Sequence, residues 1–120
     1  MDVKLTKVEE EVMQMIWKQS EPVTVSQLIA NLPEPKPPHS TISSIVRILE
    51  KKGFVSHKAY GKTHVYFPVI KRKEYTRSRV GKLISSYFEG SANDLVSFLV
   101  KEQNLSVREL SELIKNIEEE

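Results

Sequence analysis

The sequence predicts a mostly α-helical fold that carries one small β-hairpin. Three helix starts are indicated by capping boxes, in which a Ser or Thr precedes a Glu or Gln by three positions. These boxes begin at Thr6, Thr24 and Ser106. Two β-rich runs flank residues 59–62, and a glycine-containing turn between such runs is typical of a hairpin.

The segment before the hairpin is predicted to hold two helices and an extended connector. The residues expected on the buried face of the first helix are Val8, Val12, Met15 and Ile16, with Trp17 near its end. Thr24 begins a short second helix. Four prolines between residues 33 and 38 indicate a non-helical connector, because proline lacks an N–H donor and disfavours helix in the residue before it.

Residues 39–53 predict a third helix with two distinct faces. The apolar face, spaced i, i+3, i+4 and i+7, consists of Ile42, Ile45, Val46 and Leu49. The other face is small or basic and consists of Ser40, Ser43, Ser44, Arg47 and Lys51. Small hydroxyls permit a close approach, and Arg and Lys reach phosphates and base edges. With a hairpin following Gly53, this pattern predicts a winged helix-turn-helix that enters the DNA major groove.

We therefore predict a DNA-binding surface on the third helix and the hairpin. Its residues are His39, Ser40, Thr41, Ser43, Ser44, Arg47, Lys51, Lys58 and Lys62. Between positions 36 and 82 the chain has twelve basic and two acidic residues, an excess that indicates a polyanionic partner. The alternative is a winged-helix adaptor that docks a protein and binds no DNA. The basic run 71–73 is either a further backbone contact or a solvated helix start.

The sequence after Pro68 predicts a helical domain that forms a homodimer. A composition shift near residue 70 divides the chain into a DNA-binding domain, 1–70, and a dimerisation domain, 71–120. The expected dimer interface comprises Val80, Leu83, Ile84, Tyr87, Phe88, Leu110, Leu113, Ile114 and Ile117. About 50 residues bury a core poorly on their own, so a second chain is expected to cover these stripes. The alternative is that the helices fold back on the first domain.

Enzyme and metal functions find no support in the sequence. It has no Gly-rich phosphate loop, no H-E-x-x-H, no G-x-S-x-G and no cysteine. His39, His57 and His64 match no ligand spacing, so we predict no metal and no cofactor, and phosphate contact or plain surface for these histidines. No stretch approaches the roughly 18 apolar residues of a membrane span, and no signal peptide is evident. We expect a cytoplasmic protein without membrane contact.

The chain resembles the penicillinase repressor (BlaI/MecI type) family. The shared residues, in order, are Glu11-Val12-Met13, Ile16-Trp17, Thr41-Ile42, Ser44-Ile45-Val46, Leu49, Lys51-Lys52-Gly53-Phe54, Tyr66, Pro68, Leu95-Val96-Ser97-Phe98, Ser106 and Glu109-Leu110. The resemblance implies a homodimeric bacterial repressor of transcription that binds a palindromic operator in double-stranded DNA. It also implies, in antibiotic-resistance systems, derepression by a sensor-linked protease, with Ser97 and Phe98 as the candidate cleavage site. Ile48 stands where the family usually has Arg, and Ser40 and Ser43 differ from it as well, so the operator sequence does not carry over.

Overall fold

The computed structural model describes residues 4–119, except for the side chains of residues 113, 114 and 116–119. Its elements are α1 (Lys7–Lys18), α2 (Val25–Ala30), α3 (His39–Lys51), β1 (Val55–Tyr60), β2 (Thr63–Pro68), α4 (Arg72–Tyr87), α5 (Ala92–Glu102) and α6 (Val107–Glu119). This order confirms the predicted fold class, a mostly helical chain with one hairpin after the third helix. Between residues 4 and 119, no helix is both long and apolar enough to cross a lipid bilayer.

The chain forms two compact units, Met1–Ser78 and Arg79–Glu120. Their boundary lies within α4, so the first turns of that helix belong to the first unit. The domain division at residue 70 stays a prediction, because compactness alone does not show which segments fold independently.

The first two helices begin at the predicted capping boxes. In the first box, the Thr6 N–H donates to the Glu9 carboxylate (3.0 Å) and the Glu9 N–H donates to the Thr6 hydroxyl (3.2 Å). Thr24 and Gln27 exchange the same two bonds at the start of α2. Each box satisfies N–H groups that the first helical turn leaves without intrahelical partners.

The core of the first unit lies between α1, α2, α3 and the hairpin. Its fully buried large side chains are Phe54, Met13, Ile16, Leu28, Leu49 and Val46. The prediction for Val8 is wrong, since this side chain is 51% exposed. At about 100° per residue, the centre of the buried face of α1 falls at Glu9 and Ile16, and Val8 lies on its edge. Met13, which the sequence analysis did not assign to this face, is fully buried.

The hairpin is a regular antiparallel pair that is anchored through β2. Pairing runs from Val55 opposite Pro68 to Tyr60 opposite Thr63, which leaves a two-residue turn. Gly61, the first residue of that turn, has φ +64, a left-handed conformation that glycine adopts without steric cost. Val23 forms a bridge to β2, because its N–H donates to the Tyr66 carbonyl (2.9 Å) and its carbonyl accepts from the Tyr66 N–H (2.7 Å).

Three aromatic residues fix the start of α4 to the first unit. The Tyr75 ring lies 5.6 Å from the Phe54 ring, edge to face, and 5.6 Å from the Trp17 ring. Its hydroxyl donates to the Glu10 carboxylate (2.8 Å), and the Trp17 indole N–H donates to the Ile70 carbonyl (2.9 Å). Trp17 and Tyr75 therefore belong to the packing of this unit.

The second unit consists of the remainder of α4 with α5 and α6. The Ser91 hydroxyl accepts the Asp94 N–H (3.1 Å) and caps α5, while the Phe88 and Phe98 rings meet at 5.7 Å. In the described part of this unit, residues 79–112 and 115, no side chain is fully buried. Three residues of the predicted dimer stripe, Leu113, Ile114 and Ile117, have side chains outside the described part.

Candidate nucleic-acid interface

Helix α3 divides its surface between the core and solvent as its sequence predicts. Ile42, Val46 and Leu49 are buried and Ile45 is half-buried. Directly opposite, the exposed residues are Ser40, Ser44, Arg47 and Lys51. The helix therefore presents a narrow outer ridge on which only Arg and Lys are long and charged.

A polar cleft lies between α3, the start of α2 and the tip of the hairpin. It has a volume of about 310 Å³ and is lined by Thr24, Val25, Ser26, His39, Ser43, Arg47, Lys62, Thr63, His64 and Tyr66. Within it, the Ser43 hydroxyl lies 3.3 Å from Nδ1 of His39. Four of the predicted DNA-binding residues thus line one cleft, from His39 through Arg47 on the helix to Lys62 at the hairpin tip.

The other predicted residues lie elsewhere on the surface. Ser40, Ser44 and Lys51 lie on the outer ridge of α3 rather than in the cleft. Thr41 lines a different, apolar groove beside the proline connector. Lys58 is exposed on β1, and the strand register places it on the hairpin face opposite His57, His64 and Tyr66. The structure therefore separates Lys62, beside α3, from Lys58, on the far face of the hairpin.

Internal contacts occupy two of the basic residues that contribute to the charge excess. The Lys36 ammonium donates to the Ile29, Ala30 and Leu32 carbonyls at 2.9–3.1 Å, where it caps the C-terminal end of α2. The Lys52 ammonium donates to Glu9 (2.6 Å) between α3 and α1. The positive charge on the α3 and hairpin surface therefore comes from Arg47, Lys51, Lys58 and Lys62, which are all exposed.

A cluster of two histidines and a tyrosine joins the hairpin to the end of α3. The His57 and His64 rings stack at 4.3 Å, and Tyr66 lies 5.6 Å from His57. Nδ1 of His57 donates to Glu50 of α3 (2.7 Å). Burial, and then the charge of Glu50, raises the pKa of Tyr66 above its usual range. In the described part of the chain, no group of three or more histidine or acidic side chains lies close enough together to hold a metal ion.

The sequence analysis missed how this cluster is built. It predicted phosphate contact or plain surface for His57 and His64 and assigned them no partners within the chain. The available signal was the hairpin register, because a two-residue turn at Gly61 sets His57 opposite Tyr66 and Ala59 opposite His64, all on one face. Glu50 is thereby occupied by His57, and Arg47 is the charged residue of α3 that lines the cleft.

A helix with a small and basic outer face, followed by a hairpin whose tip carries Lys62 beside it, defines a winged helix-turn-helix of the kind found in DNA-binding regulators of transcription. The profile of the family described as "Penicillinase repressor" matches residues 5–119. The chain belongs to that family, which is one of transcriptional repressors.

Individual relatives agree with this assignment. The penicillinase repressor of Bacillus licheniformis is 29% identical over 121 residues, which cover 97% of this chain and 91% of the relative. The methicillin resistance regulatory protein MecI of Staphylococcus aureus strain N315 is 26% identical, covering 92% of this chain and 89% of the relative. MecI of Mammaliicoccus sciuri is 27% identical with the same coverage. The similarity therefore extends over both compact units.

Proposed function

We propose that this chain is a homodimeric repressor that occupies a palindromic promoter operator and blocks RNA polymerase. The observation that carries the proposal is the geometry of α3, whose outer ridge and adjoining cleft place Arg47 between small serines and Lys62. Membership of the repressor family supports it independently. The relatives' names connect them to penicillinase and methicillin resistance, and we extend that connection to this chain as part of the proposal.

Each side chain of this surface has a chemical role in the proposed complex. Ser40 and Ser44 let the α3 backbone approach the groove floor, because their side chains are short. Arg47 binds either the O6 and N7 atoms of a guanine or a phosphate. Lys51 and Lys62 are placed to neutralise phosphates, which fix the orientation of the protein without selecting a sequence.

The second unit is proposed to hold two copies together. It exposes large apolar side chains, among them Val80, Leu83 and Tyr87 of α4, the last at 79%. Since none of its described side chains is fully buried, one copy of this unit gains little from the hydrophobic effect. A two-fold partner would cover the same patch on both chains and would set two copies of α3 on two half-sites.

We further propose that cleavage at Ser97 and Phe98 ends repression. Both residues lie within α5, and Phe98 is 44% exposed while its ring contacts Phe88. A protease needs an extended strand, so α5 has to open locally before it is cut. A cut there detaches α6 and its apolar stripe. Dimer affinity then falls, and each half-site is bound singly, without the linked second site.

Gel-shift titration against the chain's own upstream DNA tests the DNA-binding proposal. We expect Arg47→Ala to weaken operator binding by about 1–3 kcal/mol per half-site if the guanidinium binds guanine. Arg47→Lys separates the two roles, because Lys keeps the charge but loses the bidentate fork. Recovery of affinity by Arg47→Lys indicates a phosphate contact, whereas continued loss indicates a base contact.

Lys18→Ala is the matched control, since Lys18 is an exposed basic residue at the end of α1. It should bind operator as the wild type does. A wild-type chain that binds no DNA at all would contradict the proposal and favour the protein-docking adaptor.

Mass spectrometry of the repressor from cells exposed to a cell-wall antibiotic tests the cleavage proposal separately. We expect a fragment that ends at residue 97 to accompany derepression. A chain that stays uncut at Ser97 and Phe98 alongside full derepression would exclude this cleavage.

A further inference from the structure

Ile48 is an exposed aliphatic residue on the outer surface of α3. It is 43% exposed, and helix geometry places it beside Ser44 and Lys51. Ile48 does not belong to the core, because the residues of α3 that are buried there are Ile42, Val46 and Leu49. A single exposed isoleucine is ordinary on a protein surface. This one, however, adjoins the outer ridge of α3 that the proposed function directs into the major groove.

We propose that Ile48 recognises the 5-methyl group of a thymine in each half-site of the operator. The inference rests on the proposed function and deepens it by naming the base. An isoleucine side chain has no hydrogen-bonding group, so it selects by apolar contact alone. Among the four bases, only thymine presents a methyl group in the major groove.

The neighbours of Ile48 leave its methyl groups accessible. Side chains on a helix lean toward its N-terminus and cover the residue four positions earlier. For Ile48 that residue is Ser44, which is exposed and too short to shield an isoleucine. Arg47 and Lys51 lie on the ridge side of Ile48, and contacts of their long basic side chains with DNA would hold this part of α3 against the groove floor.

The size of the effect follows from the burial of a single methyl group. Removing one buried carbon of this kind weakens binding about fourfold per half-site. Two symmetric half-sites multiply the effect to about fifteenfold. A change of this size is measurable in a competition gel-shift and smaller than the loss of a bidentate arginine contact.

The experiment removes the methyl group from the DNA and the isoleucine from the protein. The probe is the duplex that the wild-type chain enriches from a random library. Each thymine of that duplex is replaced in turn, in both half-sites, by deoxyuridine, which lacks only the methyl. We expect one symmetric position at which deoxyuridine weakens wild-type binding about fifteenfold, and no such loss with Ile48→Ala.

Two further variants control for size and exposure. Ile48→Val keeps both branches at Cβ and should retain the sensitivity to deoxyuridine. Val69→Ala removes an aliphatic side chain that is 55% exposed but lies beyond the end of β2, and it should retain the sensitivity as well. Thermal unfolding of each variant verifies that it is folded.

The possible outcomes separate this inference from the proposed function. If the wild type enriches a sequence but no thymine responds to deoxyuridine, the role of Ile48 is refuted while DNA binding stands. The same holds if Ile48→Ala responds like the wild type, or if Val69→Ala loses the response. If the wild type enriches no sequence, the proposed function itself fails, and this inference fails with it.

Discussion

The ion pair between Glu9 and Lys52 joins the start of α1 to the end of α3, and Glu9→Gln tests its contribution to stability. The Lys52 ammonium lies 2.6 Å from a carboxylate whose side chain is only 9% exposed, while Lys52 itself is 29% exposed. Exposed pairs contribute about 0–1 kcal/mol, and breaking a fully buried pair costs about 3–5 kcal/mol. We expect an intermediate loss of about 1–2 kcal/mol at pH 7. Gln retains an oxygen that accepts the Thr6 N–H, so the capping box survives.

The loss depends on pH in a direction that the structure fixes. The hydrogen bond from Lys52 lowers the pKa of Glu9 below its ordinary 4.5, against the opposing effect of burial, and the bond from the Thr6 N–H adds to the decrease. A carboxyl group with a lowered pKa in the folded state contributes stability above its unfolded pKa. That contribution disappears as pH falls through the folded value. The wild type and Glu9→Gln should therefore begin to converge as pH falls below the ordinary glutamate pKa of 4.5, and should become equal once pH has passed the lowered folded value.

Chemical denaturation at a series of pH values measures this difference. Glu11→Gln is the matched control, because Glu11 is an exposed carboxylate on the same helix, and it should change stability little at any pH. Equal stability of the wild type and Glu9→Gln at pH 7, or a difference that grows on acidification, would refute the argument.

Four further variants probe the wing, the dimer and the aromatic anchor. Lys62→Glu should weaken binding to operator and to random DNA alike. The loss should be larger than that of Lys58→Glu, since Lys62 lies beside α3, and equal losses for the two variants in filter binding would argue against that geometry. Leu83→Asp should raise the dimer dissociation constant at least about thirtyfold in sedimentation equilibrium, and an unchanged constant would place Leu83 outside the interface. Tyr75→Phe should lower the free energy of unfolding by about 1 kcal/mol, because the Glu10 carboxylate loses a hydrogen-bond donor. Denaturant titration measures this loss, and an unchanged free energy of unfolding would contradict the prediction.

Local sequence patterns predicted the helices and strands. They did not predict contacts between residues that lie far apart in the sequence. The capping box at Thr6 and the turn at Gly61 depend on residues within a few positions, so sequence alone locates them. The position of Val8 depends on what occupies the centre of the buried face of α1. That residue is Glu9, whose partner Lys52 lies 43 positions away in the sequence.

The candidate site shows the same division. The small and basic face of α3 follows from helical spacing, which predicted the exposure of Ser40, Ser44, Arg47 and Lys51 but did not anticipate that of Ile48. Which lysine of the hairpin lies beside it depends on strand register and on the packing of Tyr66 into the core. The partnership of Glu50 with His57 follows from that packing as well, and no local pattern in the sequence encodes it.

The attachment of Val23 to Tyr66 gives the hairpin a fixed pivot. In the described residues, the bridge holds β2 near its middle, and the part from His64 to the tip continues as a two-stranded ribbon. Such a ribbon is only marginally stable without support, so the tip bends more readily than the base. A contact between Lys62 and a phosphate would therefore restrain the tip, and the Tyr66–Val23 bridge would connect that restraint to the start of α2. Hydrogen exchange should then slow most at the tip amides on DNA binding, while the two bridge amides are already protected in the free protein.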